Sequence, residues 1–216
     1  MVNISLIMKT YSTYLFDFDG TLVDSHESLV KVFQGSYGAI GIDVPPKYVL
    51  RLMRIKLEQG YKELKAPEDE ESVKLFGNEI TRLLDDPEVL RLTHEYDDTK
   101  EMLMELKSQG KILGIVTSNN KKHVYDVLKF LNIPEDTFSV VIGNGECKHK
   151  KPHGEPIINA LKALNVSNKE ACYVGDGLDD MTSAKNAKVT PILLDRLNEY
   201  KDENEIIIHS LKELYA

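Results

Sequence analysis

Cysteine is scarce in this chain. Cys147 and Cys172 are the only two, and neither sits in a C-x-x-C or other metal-type spacing. A cysteine-built metal centre is therefore not expected, and two reduced thiols suit a cytoplasmic protein. Long apolar runs are also missing. No stretch reaches the roughly 18 uninterrupted apolar residues that a membrane helix needs. The N-terminus lacks a basic region followed by a long apolar core, so no signal peptide is expected. Positive charge is not in excess. Lys and Arg number 27 against 35 Asp and Glu, a net charge of -8. That balance disfavours nonspecific nucleic-acid binding through a general basic field, while leaving room for a local cationic pocket. Internal repeats and low-complexity segments are absent. What remains is a 216-residue chain with 42% hydrophobic and 29% charged residues. This is a globular composition, long enough for one large domain or a core with a small accessory domain.

Several short apolar runs end in a polar or Gly-bearing turn and lead into a helical pattern. Runs at 13–18, 111–117, 138–143, 171–176 and 189–194 read as strands, and Ile206-Ile207-Ile208 as a short edge strand. Helical patterns lie near 97–109, 120–131, 155–164 and 178–187. Strand alternating with helix predicts a doubly wound parallel sheet, a Rossmann-like α/β core covered on both faces. In such sheets ligands bind outside the carboxyl ends of the strands.

Residues 24–95 break the alternation. They show no convincing strand and read as helices near 25–40, 46–56 and 69–94, punctuated by Pro45-Pro46, Gly60, Pro67 and Pro87. The expected organisation is a core of residues 1–23 and 96–216 with an all-helical cap domain, 24–95, inserted after the first strand.

Chemistry concentrates at the strand ends. Asp17-Phe18-Asp19-Gly20-Thr21 follows the buried-strand pattern Tyr14-Leu15-Phe16. Two carboxylates two residues apart on a strand point the same way. Charges so close call for a cation between them, or for one to hold a proton. Gly20 lets the backbone turn and approach a ligand. Asp17 is thus a candidate nucleophile and Asp19 a candidate acid and base. Val116-Thr117-Ser118-Asn119 offers a hydroxyl and backbone N–H groups to a phosphate oxygen, although the same residues suit a plain N-cap. Lys148-His149-Lys150-Lys151-Pro152-His153 is a basic loop in an acidic chain, either a solvated loop or a source of one cation for a transferring phosphoryl group. Gly175-Asp176-Gly177-Leu178-Asp179-Asp180 places hard oxygen donors at a strand end, where they suit Mg²⁺.

These four segments, in this order, resemble the four signatures of the haloacid dehalogenase superfamily. The chain looks like the phosphoglycolate phosphatase branch, a group of Mg²⁺-dependent phosphatases. The likeness covers about 13–23 and 96–216 and is weak across the cap. It implies a five-stranded parallel core with the first strand central. It assigns nucleophilic attack on phosphorus to Asp17 and the acid and base steps to Asp19. Thr117, Ser118 and Lys151 would hold the phosphoryl oxygens, and Gly20, Thr21 and Asp180 would support the site. Mg²⁺ would sit on Asp17, the Asp19 main-chain oxygen and Asp176. Lys151 is preferred over Lys150 because it precedes Pro152 and a helix. The family often has a second proline where this chain has Gly154. His149, His153 and Asp179 read as surface residues.

The expected activity is that of a phosphoric monoester hydrolase on a small phosphorylated metabolite, through an aspartyl-phosphate. Three other readings compete. A haloacid dehalogenase needs no metal and lacks the second carboxylate of the first motif. A phosphosugar mutase shares the core. A phosphoacceptor signalling module is shorter and has no helical insertion. In capped members the cap selects the leaving group. Within it Arg54 and Lys56, in the segment leading to Gly60, are the candidate substrate contacts.

Overall fold

The computed structural model describes residues 11–52, 57–200 and 206–215. Arg54 and Lys56 lie outside the described residues. The chain opens with β1 (Thr13–Phe16) and a short β2 (Val23–Asp24). Helices α1 (His26–Ala39), α2 (Pro46–Leu52), α3 (Leu57–Leu64), α4 (Glu70–Leu84) and α5 (Pro87–Leu90) follow. After β3 (His94–Glu95) strand and helix alternate. They run α6 (Thr99–Ser108), β4 (Ile112–Val116), α7 (Lys121–Phe130), β5 (Val140–Ile142), α8 (Glu155–Leu164), β6 (Ala171–Gly175), α9 (Leu178–Asn186), β7 (Thr190–Leu194) and β8 (Ile207–Ile208).

Six strands form one sheet in the order β5-β4-β1-β6-β7-β8, all pairs parallel. This is the expected doubly wound sheet, with β8 as a sixth strand on the edge. β1 lies inside the sheet, with Phe16 opposite Ile115 on one side and Val174 on the other. All four of its side chains are buried, as both faces of a covered parallel sheet require. Leu15, Val116, Tyr173, Ile157, Leu161 and Ala184 belong to one core cluster between the sheet and its helices. The order changes direction across β4, β1 and β6, and the carboxyl ends of these strands carry the chemical motifs.

The described residues divide into two compact units, one made of those up to Asp24 and from Glu95 on, the other of those from Ser25 to His94. The second unit packs helices around an aromatic centre. Tyr37, Tyr61 and Phe76 are buried, with ring centroids 4.9–6.0 Å apart. Its helices depart from the sequence pattern in two places. The continuous helix expected over 69–94 stops at Leu84. A new turn then starts at Asp86, whose side chain accepts from Glu88 N–H, with Pro87 in the first turn. Gly60, expected as a bend, lies inside α3. A Cβ there would stand 3.3 Å from the Tyr37 hydroxyl, so this glycine serves close packing. A separate difference is the pairing of β2 with β3, where no strand was expected. Two-residue strands carry too little pattern to be read from sequence.

Candidate active site

The turn after β1 is built to come close to β6. Asp17 N–H still donates to Val174 O at 2.8 Å, so this residue is held by the sheet. The chain then folds back. Leu22 and Val23 N–H donate to Phe18 O, and Gly20 N–H donates to Val23 O at 2.8 Å. Gly20 has φ +78°, and a Cβ on it would stand 2.4 Å from Asp176 Oδ2. Glycine is therefore required twice over, by its backbone angle and by the carboxylate beside it. Thr21 Oγ1 donates to Asp176 Oδ1 at 3.3 Å, tying the turn to the end of β6.

Lys151 reaches the same place from the loop before α8. Its Nζ lies 2.8 Å from Asp17 Oδ1 and 2.7 Å from Asp180 Oδ1, with only 7% of its side chain exposed. Lys150 is exposed. Tyr173, wholly buried in β6, completes the grip. Its hydroxyl donates to Val116 O at 2.8 Å and accepts from Lys151 Nζ at 3.2 Å. Both oxygens of Asp180 are engaged, because its Oδ2 accepts from Gly177 N–H at 3.0 Å. Asp179 is exposed.

The charges do not balance within this cluster. Asp17, Asp176 and Asp180 each offer an oxygen within 4.8 Å of the others, and Lys151 is the cation bonded among them. Burial pushes the Asp17 carboxyl well above its usual range; Lys151 opposes the shift, and Asp180 and Asp176 add to it. Burial, then the charge of Asp180, pushes Asp176 up to about 6. Burial alone would lower Lys151, but Asp17 and Asp180 outweigh it, and the ammonium is held well above its ordinary value. If all three carboxyls were ionised, three carboxylates against one ammonium would leave an excess of two negative charges, and that repulsion adds to burial in raising Asp17 and Asp176. Both oxygens of Asp180 accept hydrogen bonds, whereas Asp17 and Asp176 are bonded here through Oδ1, so those two are the better placed donors for a cation. Hard oxygens at a net charge of this sign fit Mg²⁺.

Asp19 stands apart from that trio. Its Oδ2 accepts from Asn119 Nδ2 at 3.3 Å, while its Oδ1 is buried without a hydrogen-bond partner among the described residues. A buried acceptor left open is costly unless a ligand or water meets it. Thr117 is buried at the end of β4, and its Oγ1 accepts from Asn119 N–H at 3.0 Å. Ser118 is exposed. The N–H groups expected to face a phosphate are mostly in use. That of Thr117 donates to Ile142 O and that of Asn120 to Asn119 Oδ1.

Sequence reasoning did not single out Tyr173, Asn119 or the pair Arg196 and Asp98. Arg196 makes a two-pronged contact with buried Asp98 at 2.9 and 3.0 Å, and also donates to Thr21 O at 3.1 Å. Its guanidinium carbon lies 3.7 Å from the centre of the Tyr96 ring. It therefore supports the turn that carries Asp19 to Thr21. Asn119 had a signal, its place beside Thr117-Ser118. For the others the chain offers only a lone tyrosine and lone charges.

A parallel sheet with this acidic, lysine-bearing strand-end site is the mark of one class of hydrolases. The family pattern described as haloacid dehalogenase-like hydrolase matches residues 14–194, and the chain belongs to that family. It is thus an enzyme. Among curated proteins it is 31% identical over 180 residues to Pyrophosphatase PpaX of Bacillus cereus (strain ATCC 10987 / NRS 248), covering 82% of this chain and 79% of the relative. Among solved structures it is similar to a haloacid dehalogenase-like protein of Bacteroides fragilis. That match has a TM-score of 0.80 and 27% identity, over 91% of this chain and 96% of the other. A predicted phosphatase from Clostridium acetobutylicum shares the fold. Its TM-score is 0.81 at 23% identity, over 95% of this chain and 96% of the other.

Proposed function

We propose that the protein is a Mg²⁺-dependent phosphatase that hydrolyses a small phosphorylated metabolite through an aspartyl-phosphate. The observation that carries this reading is Lys151, buried between Asp17 and Asp180. An oxygen of Asp17 attacks phosphorus, and the bond from phosphorus to the leaving oxygen breaks. Asp19 gives its proton to that oxygen. In the second step Asp19 takes a proton from water, the water attacks the aspartyl-phosphate, and phosphate leaves. Lys151, Thr117 and Ser118 hold the phosphoryl oxygens, and Lys151 opposes the charge that builds there. Asp180 and Tyr173 hold Lys151, and Gly20 and Thr21 shape the turn. Mg²⁺, bound by Asp17, the Asp19 main-chain oxygen and Asp176, supplies further charge neutralisation at phosphorus. Residues 24–95 are proposed to act as the cap that selects the leaving group, with Arg54 and Lys56 as contacts for an anionic substrate.

The setting proposed is the cytoplasm, which suits the free Cys147 and Cys172. Among the described residues no helix is long and apolar enough to cross a membrane.

A second reading concerns the substrate. The curated relative is named a pyrophosphatase, which favours pyrophosphate, with phosphate itself as the leaving group. The same two steps serve both. The test is phosphate release from p-nitrophenyl phosphate, a panel of phosphorylated metabolites and pyrophosphate, with Mg²⁺ and with a chelator. Turnover should require Mg²⁺ and vanish in Asp17→Asn, whose amide keeps the shape but is a far poorer nucleophile. Equal rates in chelator, or an active Asp17→Asn, would overturn the mechanism. The preferred substrate of the panel decides between monoester and pyrophosphate.

A further inference from the structure

A second group of metal-ligating side chains stands on the loop that delivers Lys151. His149, His153 and Glu155 each offer one ligand atom, and these atoms all lie within 4.8 Å of one another. The two imidazole rings face each other with centroids 4.6 Å apart. His149 Nδ1 is 2.7 Å from Glu155 Oε2, close to the separation of about 3 Å between neighbouring ligands of an ion with ~2.0 Å bonds. Glu155 is fixed in place by the backbone, since its oxygens accept from Lys148 N–H at 2.9 Å and His149 N–H at 3.1 Å. Those bonds, that of Lys148 first, hold its carboxyl below the usual range, so it is ionised. A carboxylate has about four acceptor positions, and three are used here. His153 gives up only one contact on coordination, the 3.1 Å bond that its Nδ1 accepts from Glu155 N–H. The histidines are exposed, so an ion can reach them from solvent.

We propose that His149, His153 and Glu155 form a binding site for a divalent transition metal of the Zn²⁺ class, separate from the carboxylate site at Asp17 and Asp176. Two imidazoles and one carboxylate suit Zn²⁺, Ni²⁺ or Cu²⁺, whereas Mg²⁺ prefers oxygen donors and keeps its waters. The two sites therefore sort ions by donor chemistry. The ligands lie on both sides of Lys151 in the chain, so a bound ion ties the start of α8 to the loop ahead of it.

The experiment is calorimetric titration of Zn²⁺ into the intact protein in excess Mg²⁺, which keeps the carboxylate site occupied. Wild type should bind one Zn²⁺. The double variant His149→Ala and His153→Ala should lose that affinity by at least about 100-fold, more than outer partners of a metal usually cost. Thermal unfolding in Mg²⁺ alone should be alike for the two proteins, which shows that the variant folds. Added Zn²⁺ should raise the midpoint of wild type only. Glu155→Gln serves as a second variant, and it should bind more weakly than wild type. Equal Zn²⁺ binding in wild type and the double variant, or none in wild type, would overturn the proposal.

Discussion

At the residue scale, position decides which of several identical side chains has a use. Lys148, Lys150 and Lys151 share one loop, yet only Lys151 points its Nζ between two buried carboxylates. Lys151→Ala should lower kcat/KM by roughly 100-fold or more, the scale of losing one preorganised donor to a developing charge. Lys150→Ala should change it by less than about two-fold, because an exposed charge is screened by salt. Steady-state kinetics of the two variants side by side check this, and the reverse ranking would move the role to Lys150. Asp176 gives a prediction in pH. Its carboxyl is pushed up to about 6 by burial and by the charge of Asp180. On the proposed mechanism Asp176 holds Mg²⁺, and only its ionised form serves a cation well, so protons and Mg²⁺ would compete below that value. The Mg²⁺ concentration for half-maximal activity should rise as pH falls from 7 to 5, approaching ten-fold per pH unit. A half-saturation point that does not move would detach Asp176 from the metal.

At the scale of elements, the turn after β1 and the helices of residues 25–94 make different demands. The turn needs Gly20. In Gly20→Ala the new methyl meets Asp176 Oδ2 in a left-handed backbone, at a cost of about 1–2 kcal/mol for the angle alone. The larger effect should be on turnover, since Asp19 and Asp176 must both shift. Circular dichroism showing a native spectrum with activity reduced more than ten-fold is the expected pair of results. The helices need their aromatic centre. Phe76 is 2% exposed and touches Tyr37 and Tyr61 at ring distances of 4.9 and 5.1 Å. Phe76→Ala should cost about 3–5 kcal/mol in that unit. The sheet has its own core, so calorimetry should show the loss as an early, separate transition. A single transition shifted by less than about 1 kcal/mol would mean that Phe76 is not central to that packing.

At the scale of the whole catalytic unit, Asp98 joins distant parts of the chain. It accepts from Arg196 after β7, from Ser210 Oγ at 2.7 Å and from Leu211 N–H at 2.9 Å, and Arg196 carries the connection on to Thr21. Burial by itself would raise this carboxyl, but the bonds from Arg196, Ser210 and Leu211 outweigh it and hold it below the usual range. The sign follows from linkage. A lowered folded value means that the stabilisation is complete above the unfolded value of about 4 and is lost as pH falls through the folded one. Asp98→Asn leaves Arg196 partly buried without its counter-charge, and should cost about 3 kcal/mol at pH 7. Its unfolding midpoint should fall less than that of wild type between pH 4 and 2. Parallel acid limbs for the two proteins would rule out this role.

The sequence by itself determined the sheet and the places where chemistry meets it. Buried parallel strands appear as short continuous apolar runs, and the motifs at 17–21, 117–118 and 175–180 follow those runs directly, while 151–152 stands in the loop that leads into the next helix. Local order carries such information, because a strand end and its turn are neighbours along the chain. The break after Leu84 was less legible, since Pro87 fits both a long punctuated helix and a new one. The reason for Gly60 is not local, since it lies in the Tyr37 hydroxyl, 23 positions away. Only the tertiary structure decided that Tyr173 grips Lys151, that Asp180 divides its oxygens between that lysine and Gly177 N–H, and that Arg196 supports Thr21. It also brought His149 and His153 together with Glu155 in one cluster. These are contacts of side chains across strands and loops, set by packing and by the need to pair buried charge. Apart from the short His149–Glu155 segment, no spacing within one stretch of chain records them.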